Sequence, residues 1–192
     1  MIKGAKVELV PAKLDERRAV FEWCFHSETT RFHAGPPDYS DVEIPTFEEF
    51  CDDYGDYFFT GDKPNDGRGF IIRHDGEAIG FVSYCCYHLL PNKAELDIWM
   101  SREAYCGKGL GTDALISLGD YLHRAMGISE LIMRPSAKNQ RAVKAYNNAG
   151  FEVSNAEPSD YLLKEYIESY GDGDYGADAT VTLIKARFDY EN

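Results

Sequence analysis

A chain of 192 residues with 44% hydrophobic content can bury one good core, so a single domain over residues 1–192 is expected. Its formal net charge of -13 argues against nucleic acid and anionic lipid as partners, because phosphate surfaces need clustered Lys and Arg, and favours cationic ones. There is no long apolar run and no leader pattern, and Cys24, Cys51, Cys85, Cys86 and Cys106 are odd in number and lack metal-ligand or CxxC spacing; the expectation is a soluble cytoplasmic protein, off the membrane, with reduced thiols and no metal.

In chain order, residues 7–10 read as a short strand ended by Pro11, and Leu14, Arg17, Arg18, Phe21 and Phe25 then recur at near-helical spacing up to His26. Residues 28–39 contain Gly35-Pro36-Pro37 and read as irregular. Thr46, with Glu49 three positions on, forms a capping box for a short acidic helix ending near Tyr54. Between Glu28 and Asp66 the carboxylates Glu28, Asp38, Asp41, Glu43, Glu48, Glu49, Asp52, Asp53, Asp56, Asp62 and Asp66 face only Arg31 and Lys63. That imbalance is either a solvated acidic face or a field that attracts a polyamine-like substrate. Residues 61–69, rich in Gly, Asp, Asn and Pro, form a loop before strands at 70–74 and 78–84 joined by Asp75-Gly76, a dipeptide that tolerates positive φ in a hairpin.

Residues 94–100 alternate, with Ala94, Leu96, Ile98 and Met100 on one face and Glu95, Asp97 and Trp99 on the other. A glycine loop follows, and Leu115, Leu118, Leu122 and Ala125 mark a helix over 110–126 that stops at Gly127, a left-handed C′ residue. Residues 130–134 make another strand, and 139–148 a helix with Ala142, Val143 and Tyr146 on one side, closed by Gly150. Ser159 caps a possible helix over 159–170, residues 171–176 turn, and 180–188 alternate as a closing strand. Strand, glycine loop, helix, strand, helix is an α/β pattern.

Three glycines between a strand and a helix let backbone N–H groups close around an anion, aided by the positive potential of the helix N-terminus. Gly107, Gly109 and Gly111 fit neither the dinucleotide fingerprint nor the nucleotide P-loop, so on its own the loop is an anion cradle or a plain turn. Two segments read together are more specific. They are Cys106-Gly107-Lys108-Gly109-Leu110-Gly111 and Asn139-Gln140-Arg141-Ala142-Val143-Lys144-Ala145-Tyr146-Asn147-Asn148-Ala149-Gly150-Phe151. Over residues 79–151, and more weakly around Phe21-Glu22-Trp23 and in the final strand, the chain resembles the GNAT superfamily of acyl-CoA N-acetyltransferases.

The resemblance implies an α/β (α+β) GNAT fold with a mixed sheet of about six to seven strands flanked by about four helices, and acyl-CoA in a cleft beside the fourth strand. It would make 159–170 strand and loop instead of helix. Backbone N–H groups of Gly107, Lys108, Gly109, Leu110, Gly111 and Thr112 would hold the pyrophosphate, and Cys106, in the same binding set, stands where the family has Gln or Arg, which weakens a side-chain contribution without removing the site. Main-chain groups of Ile98 and Met100 would pair with the acyl-pantetheine arm. Asn139 would hydrogen-bond that arm or cap its helix, and Ala142 belongs to the same binding set.

Attack on a thioester needs a neutral amine, and a primary amine is mostly protonated at pH 7, so a base or ammonium anchor is required. The chain looks most like the aminoglycoside 6′-N-acetyltransferases, which carry an acidic residue at the place of Asp97, so Asp97 is the first candidate and Glu95 the second. The bland alternative is a pair of solvated carboxylates. Tyr146 stands where the family places the acid that protonates the departing CoA thiolate, against the plainer role of a core aromatic. Trp99 is core or a wall of the acceptor pocket.

The expected activity is transfer of acetyl from acetyl-CoA, a co-substrate, to a primary amine of a cationic small molecule such as an aminoglycoside. Acetylation of a protein N-terminus or lysine is the alternative within enzymes, and a non-catalytic CoA-binding module the alternative outside them. Monomer and homodimer both remain open. Residues 154–176 exceed a minimal family pattern and are left to line the acceptor site or a dimer interface.

Overall fold

The computed structural model describes residues 1–33, 43–170, 180–186 and 188. Among them the strands are β1 (Ile2–Lys3), β2 (Glu8–Pro11), β3 (Gly67–His74), β4 (Glu77–Cys85), β5 (Lys93–Met100), β6 (Glu130–Met133), β7 (Glu152–Val153) and β8 (Leu183–Lys185). They form one sheet in the order β1-β2-β3-β4-β5-β6-β8-β7. All neighbours are antiparallel except β5 and β6, which run parallel and therefore need a long crossover. The helix Leu110–Met126 supplies it. Because Ile2–Lys3 adds an edge strand, the strand expected as fourth is β5.

The helices are α1 (Arg17–Phe25), α2 (Thr30–His33), α3 (Phe47–Asp53), α4 (Tyr57–Thr60), α5 (Leu110–Met126), α6 (Gln140–Asn148) and α7 (Ile167–Tyr170). Helix α3 begins at the capping box: Thr46 Oγ1 accepts from Glu49 N–H, and Glu49 Oε2 accepts from Thr46 N–H at 2.7 Å. Helix α5 buries Leu110, Ala114, Leu115, Leu118 and Leu122, and ends on Gly127 at φ 68. The β3–β4 hairpin turns through Asp75 and Gly76 at φ 50 and 80, the geometry of a type I′ turn.

Alternation along the strands sends side chains into two cores. Under α5 and α6 lie Leu9, Ile72, Ile79, Val82, Leu96, Leu131 and Phe151; against α1, α3 and α4 lie Ile71, Phe81 and Trp99 with Val20, Phe21, Phe50, Phe58 and Phe59. Each such side chain contributes about 1.5–3 kcal/mol on burial, which explains why the sheet is covered on both faces. Trp99 is a core residue, its Nε1 donating to the Val20 carbonyl at 3.3 Å.

Several segments differ from expectation. Thr30–His33 forms a helical turn inside the stretch expected to be irregular, while Gly35-Pro36-Pro37 lies outside the described residues. Strand β3 starts at Gly67, inside the expected loop. The helix expected over 159–170 is broken into 3-10 turns at Pro158–Asp160 and Lys164–Tyr166 followed by α7. Tyr161 and Leu162 are buried with Leu89 and Ile132, and Leu162 bridges Leu89 as a strand would, so tertiary burial diverts the backbone there. The turn expected at 171–176 lies outside the described residues, and the closing strand contracts to β8, inserted between β6 and β7.

Candidate active site

The site begins where two strands part. Strand β5 pairs with β6 only through Lys93↔Glu130, Ala94↔Leu131 and Glu95↔Ile132, whereas its pairing with β4 runs on to Gly80↔Met100. Beyond Glu95 a cleft of about 370 Å³ opens, lined by Ile98 and Met100 of β5, by residues of the glycine loop, by Asn139 at the cap of α6, and by Ala142 and Tyr146 within that helix. Ser101 N–H donates to the Ile79 carbonyl at 2.9 Å. Main-chain groups alternate sides along a strand, so those of Met100 and Ile98 face away from β4, toward the cleft. Thr29 Oγ1 donates to the Met100 carbonyl at 2.7 Å, and Ile98 N–H donates to Asp97 Oδ1 at 2.9 Å.

The glycine loop has the conformation an anion cradle needs. Gly107 and Gly109 sit at φ 71 and 77, where a side chain would be strained, and Gly109 is the N-cap of α5. A Cβ on Gly111 would lie 3.6 Å from Ile98 Cδ1, so α5 starts in contact range of β5. The first-turn N–H groups of α5 have no intrahelical acceptor and give this end of the cleft positive potential. Cys106, Gly107, Gly109, Leu110, Gly111 and Thr112 all line the cleft. Lys108 is exposed and stands outside the lining, its carbonyl accepting from Lys6 Nζ at 3.1 Å. The Cys106 thiol lies against the Arg102 carbonyl, and burial raises its pKa, so it remains a thiol.

Helix α6 is capped by Asn139, whose Oδ1 accepts from Ala142 N–H at 3.1 Å, and is tied to the cradle by Thr112 Oγ1 donating to the Ala145 carbonyl at 3.3 Å. Tyr146 is 9% exposed and serves both the core beneath α6 and the cleft wall. Arg141, ion-paired with Glu103, and Lys144 also line the cleft, and neither is among the residues expected there. Their spacing of three on a helix was the available signal.

Asp97 is not a lining residue, yet it reaches the cleft edge through the Ile98 N–H. Its other oxygen accepts from the Tyr54 hydroxyl at 2.5 Å. Burial, then the Asp97 charge, pushes the Tyr54 phenol well above its ordinary pKa, so Tyr54 stays a donor. Glu95 is placed otherwise. Its Oε2 meets His88 Nε2 at 2.7 Å and its Oε1 accepts from Arg134 Nε at 2.7 Å. Desolvation acts to raise its pKa, but hydrogen bonds from His88 and Arg134 outweigh this and hold it below the usual glutamate value. Glu95 is therefore the hub of a buried ion cluster at the point where β5 and β6 separate. The structure brings together Ile98, Met100, the cradle, Asn139, Ala142 and Tyr146, and sets Asp97 at the rim and Glu95 behind it.

A family model described as an acetyltransferase (GNAT) domain matches residues 6–152. The spermidine N(1)-acetyltransferase of Escherichia coli (strain K12) is 26% identical over 163 residues, covering 85% of this chain and 82% of that one. In fold the chain is similar to the aminoglycoside acetyltransferase AAC(6')-Ib solved with ribostamycin and coenzyme A, with TM-score 0.68, 18% identity, and 95% and 94% of the two chains covered. It is similar also to RimL, a ribosomal alpha-N-protein acetyltransferase in complex with coenzyme A, with TM-score 0.66, 16% identity, and 95% and 94% covered.

Proposed function

The chain belongs to the GNAT acetyltransferase family and is an acyl-CoA-dependent N-acetyltransferase, and from that premise we propose that it acetylates a primary amine of a cationic small molecule directly from acetyl-CoA. The observation that carries this reading is the placement of Asp97. One carboxylate oxygen sits at the edge of the β5 cleft and the other is aimed by Tyr54, on a face bordered by the acidic helix α3. A fixed anion there attracts an ammonium group, holds it near the thioester and accepts its proton. A net charge of -13 acts in the same direction at longer range.

In this mechanism the N–H groups of Gly107 to Thr112 hold the pyrophosphate, with Arg141 and Lys144 adding charge, and the main chain of Ile98 and Met100 pairs with the pantetheine arm. The neutral amine attacks the thioester carbon, an N–C bond forms, and the C–S bond breaks. Asp97 passes the ammonium proton to solvent, and the second proton, which nitrogen loses as the amide forms, restores the Tyr146 phenol. The departing sulfur takes a proton from Tyr146, which prevents reverse attack. Glu95, His88 and Arg134 fix the strands that carry these groups.

An aminoglycoside or polyamine is the acceptor class this arrangement fits. The names of the relatives support that choice: one acts on spermidine and one, alike in fold, on aminoglycosides. A thiol-release screen of acetyl-CoA against aminoglycosides, polyamines and peptides tests it. Turnover with a polycationic small molecule is the expected result, and turnover confined to peptides would overturn the acceptor class.

A further inference from the structure

The turn between β1 and β2 is anchored against the start of α5. Asp113, in the first turn of that helix, accepts backbone N–H groups of Ala5 at 3.1 Å, Lys6 at 2.7 Å and Val7 at 3.0 Å. A Cβ on Gly4 would stand 2.4 Å from Asp113 Oδ2 and 2.5 Å from Ser117 Oγ, so glycine lets the turn come this close. The Lys6 carbonyl is bonded in turn to His74 Nδ1 at 2.8 Å. With both its N–H and its C=O tied down, the Lys6 backbone is a fixed base for its side chain.

That side chain crosses to the glycine loop, where Nζ donates to the Lys108 carbonyl at 3.1 Å and lies 3.0 Å from the place a Cβ of Gly109 would occupy. In a planar trans peptide the carbonyl of Lys108 and the N–H of Gly109 point in opposite directions. This peptide joins Lys108 to Gly109, which is at φ 77, and the glycine on its C-terminal side lowers the cost of flipping it. A flip would turn the Gly109 N–H out of the cleft and present a carbonyl oxygen to an anion.

We propose that Lys6 is a positioning residue of the cradle: its ammonium group locks the Lys108–Gly109 peptide with its carbonyl outward, so that the Gly109 N–H stays aimed at the donor's pyrophosphate. A cation on the carbonyl also polarises the peptide and strengthens its N–H as a donor. Lys6 thereby supplies, from outside the loop, support that Cys106 cannot give from within it. The assignment rests on the reading that this loop receives the pyrophosphate.

The test compares acetyl-CoA with S-acetylpantetheine, which carries the thioester but no pyrophosphate, in the full chain and in Lys6→Met and Lys6→Arg. Expected for Lys6→Met are a Kd for CoA and a KM for acetyl-CoA raised about five- to tenfold, with kcat and the rate on S-acetylpantetheine unchanged. Lys6→Arg, which keeps a donor and its charge, should restore most of the affinity. CoA affinity within about twofold of wild type in Lys6→Met, or a parallel fall with both donors, would overturn the role of Lys6. A wild-type protein that showed no preference for acetyl-CoA over S-acetylpantetheine would instead remove the cradle reading.

Discussion

Tyr146 and Asp97, the acid and the base of the proposed mechanism, stand on different elements, one on α6 and one on β5, so each can be removed without dismantling the other's support. Replacing Tyr146 with Phe keeps the ring that packs beneath α6 and deletes only the hydroxyl. It should lower kcat by about a hundredfold while leaving CoA affinity unchanged, read by steady-state kinetics beside calorimetric titration; equal turnover would take Tyr146 out of the mechanism. Glu95 predicts a stability effect instead. Its pKa is lower folded than unfolded, so the stability it contributes is complete above the ordinary glutamate value and is lost as pH falls through the folded value. Glu95→Gln leaves Arg134 facing a neutral group in a buried site, should cost about 3 kcal/mol at neutral pH, and should flatten the acid limb of a denaturant-midpoint series. At this scale the sequence displayed motif residues and hid their partners. Asp97 and Tyr146 were singled out by the family resemblance, whereas Tyr54, His88 and Arg134 meet their carboxylates only after the chain has doubled back.

Helix α3 links local sequence to the acceptor side in one step. Thr46 and Glu49 start it, and Tyr54, which closes it, donates to Asp97. Thr46→Ala should cost about 1 kcal/mol, measured by chemical denaturation, and should raise KM for the amine more than KM for acetyl-CoA. Elements with their own punctuation were legible. Helix α5 runs between Gly109 and Gly127, both left-handed, and α6 from its Asn139 cap, so period and caps agreed. Residues 159–170 carried an equally good cap in Ser159, but Tyr161 and Leu162 are claimed by a core with Leu89, and long-range burial overrode local preference. The position of β8 between β6 and β7 had no signal in a three-residue strand.

Across the whole molecule, charge separates the two substrates. The chain carries a net -13, yet the cleft is lined by Lys144, by Arg141 paired with Glu103, and by the start of α5, while Asp97 meets Tyr54 at the end of the acidic helix α3. On the proposed function a polycationic amine would be steered by the whole surface, while acetyl-CoA would be held by a local patch. Raising salt from about 0.05 to about 0.5 M should reduce kcat/KM for a polycationic acceptor about tenfold, by shortening the screening length, and kcat/KM for a monoamine much less. Equal salt sensitivity of the two acceptors would count against steering.

The parting of β5 from β6 has a consequence for the life of the protein as well as for its chemistry. An open strand flank inside a sheet is a template on which a second chain can add, the hazard that sheets elsewhere suppress with charge, proline or a covering loop. In the proposed mechanism the acyl donor, laid along Ile98 and Met100, would cover that flank and add about 2.7 kcal/mol of stability when present at a hundred times its dissociation constant. On that reading the donor pool acts as a folding ligand: scarcity of acetyl-CoA withdraws the substrate and uncovers this flank in the same event.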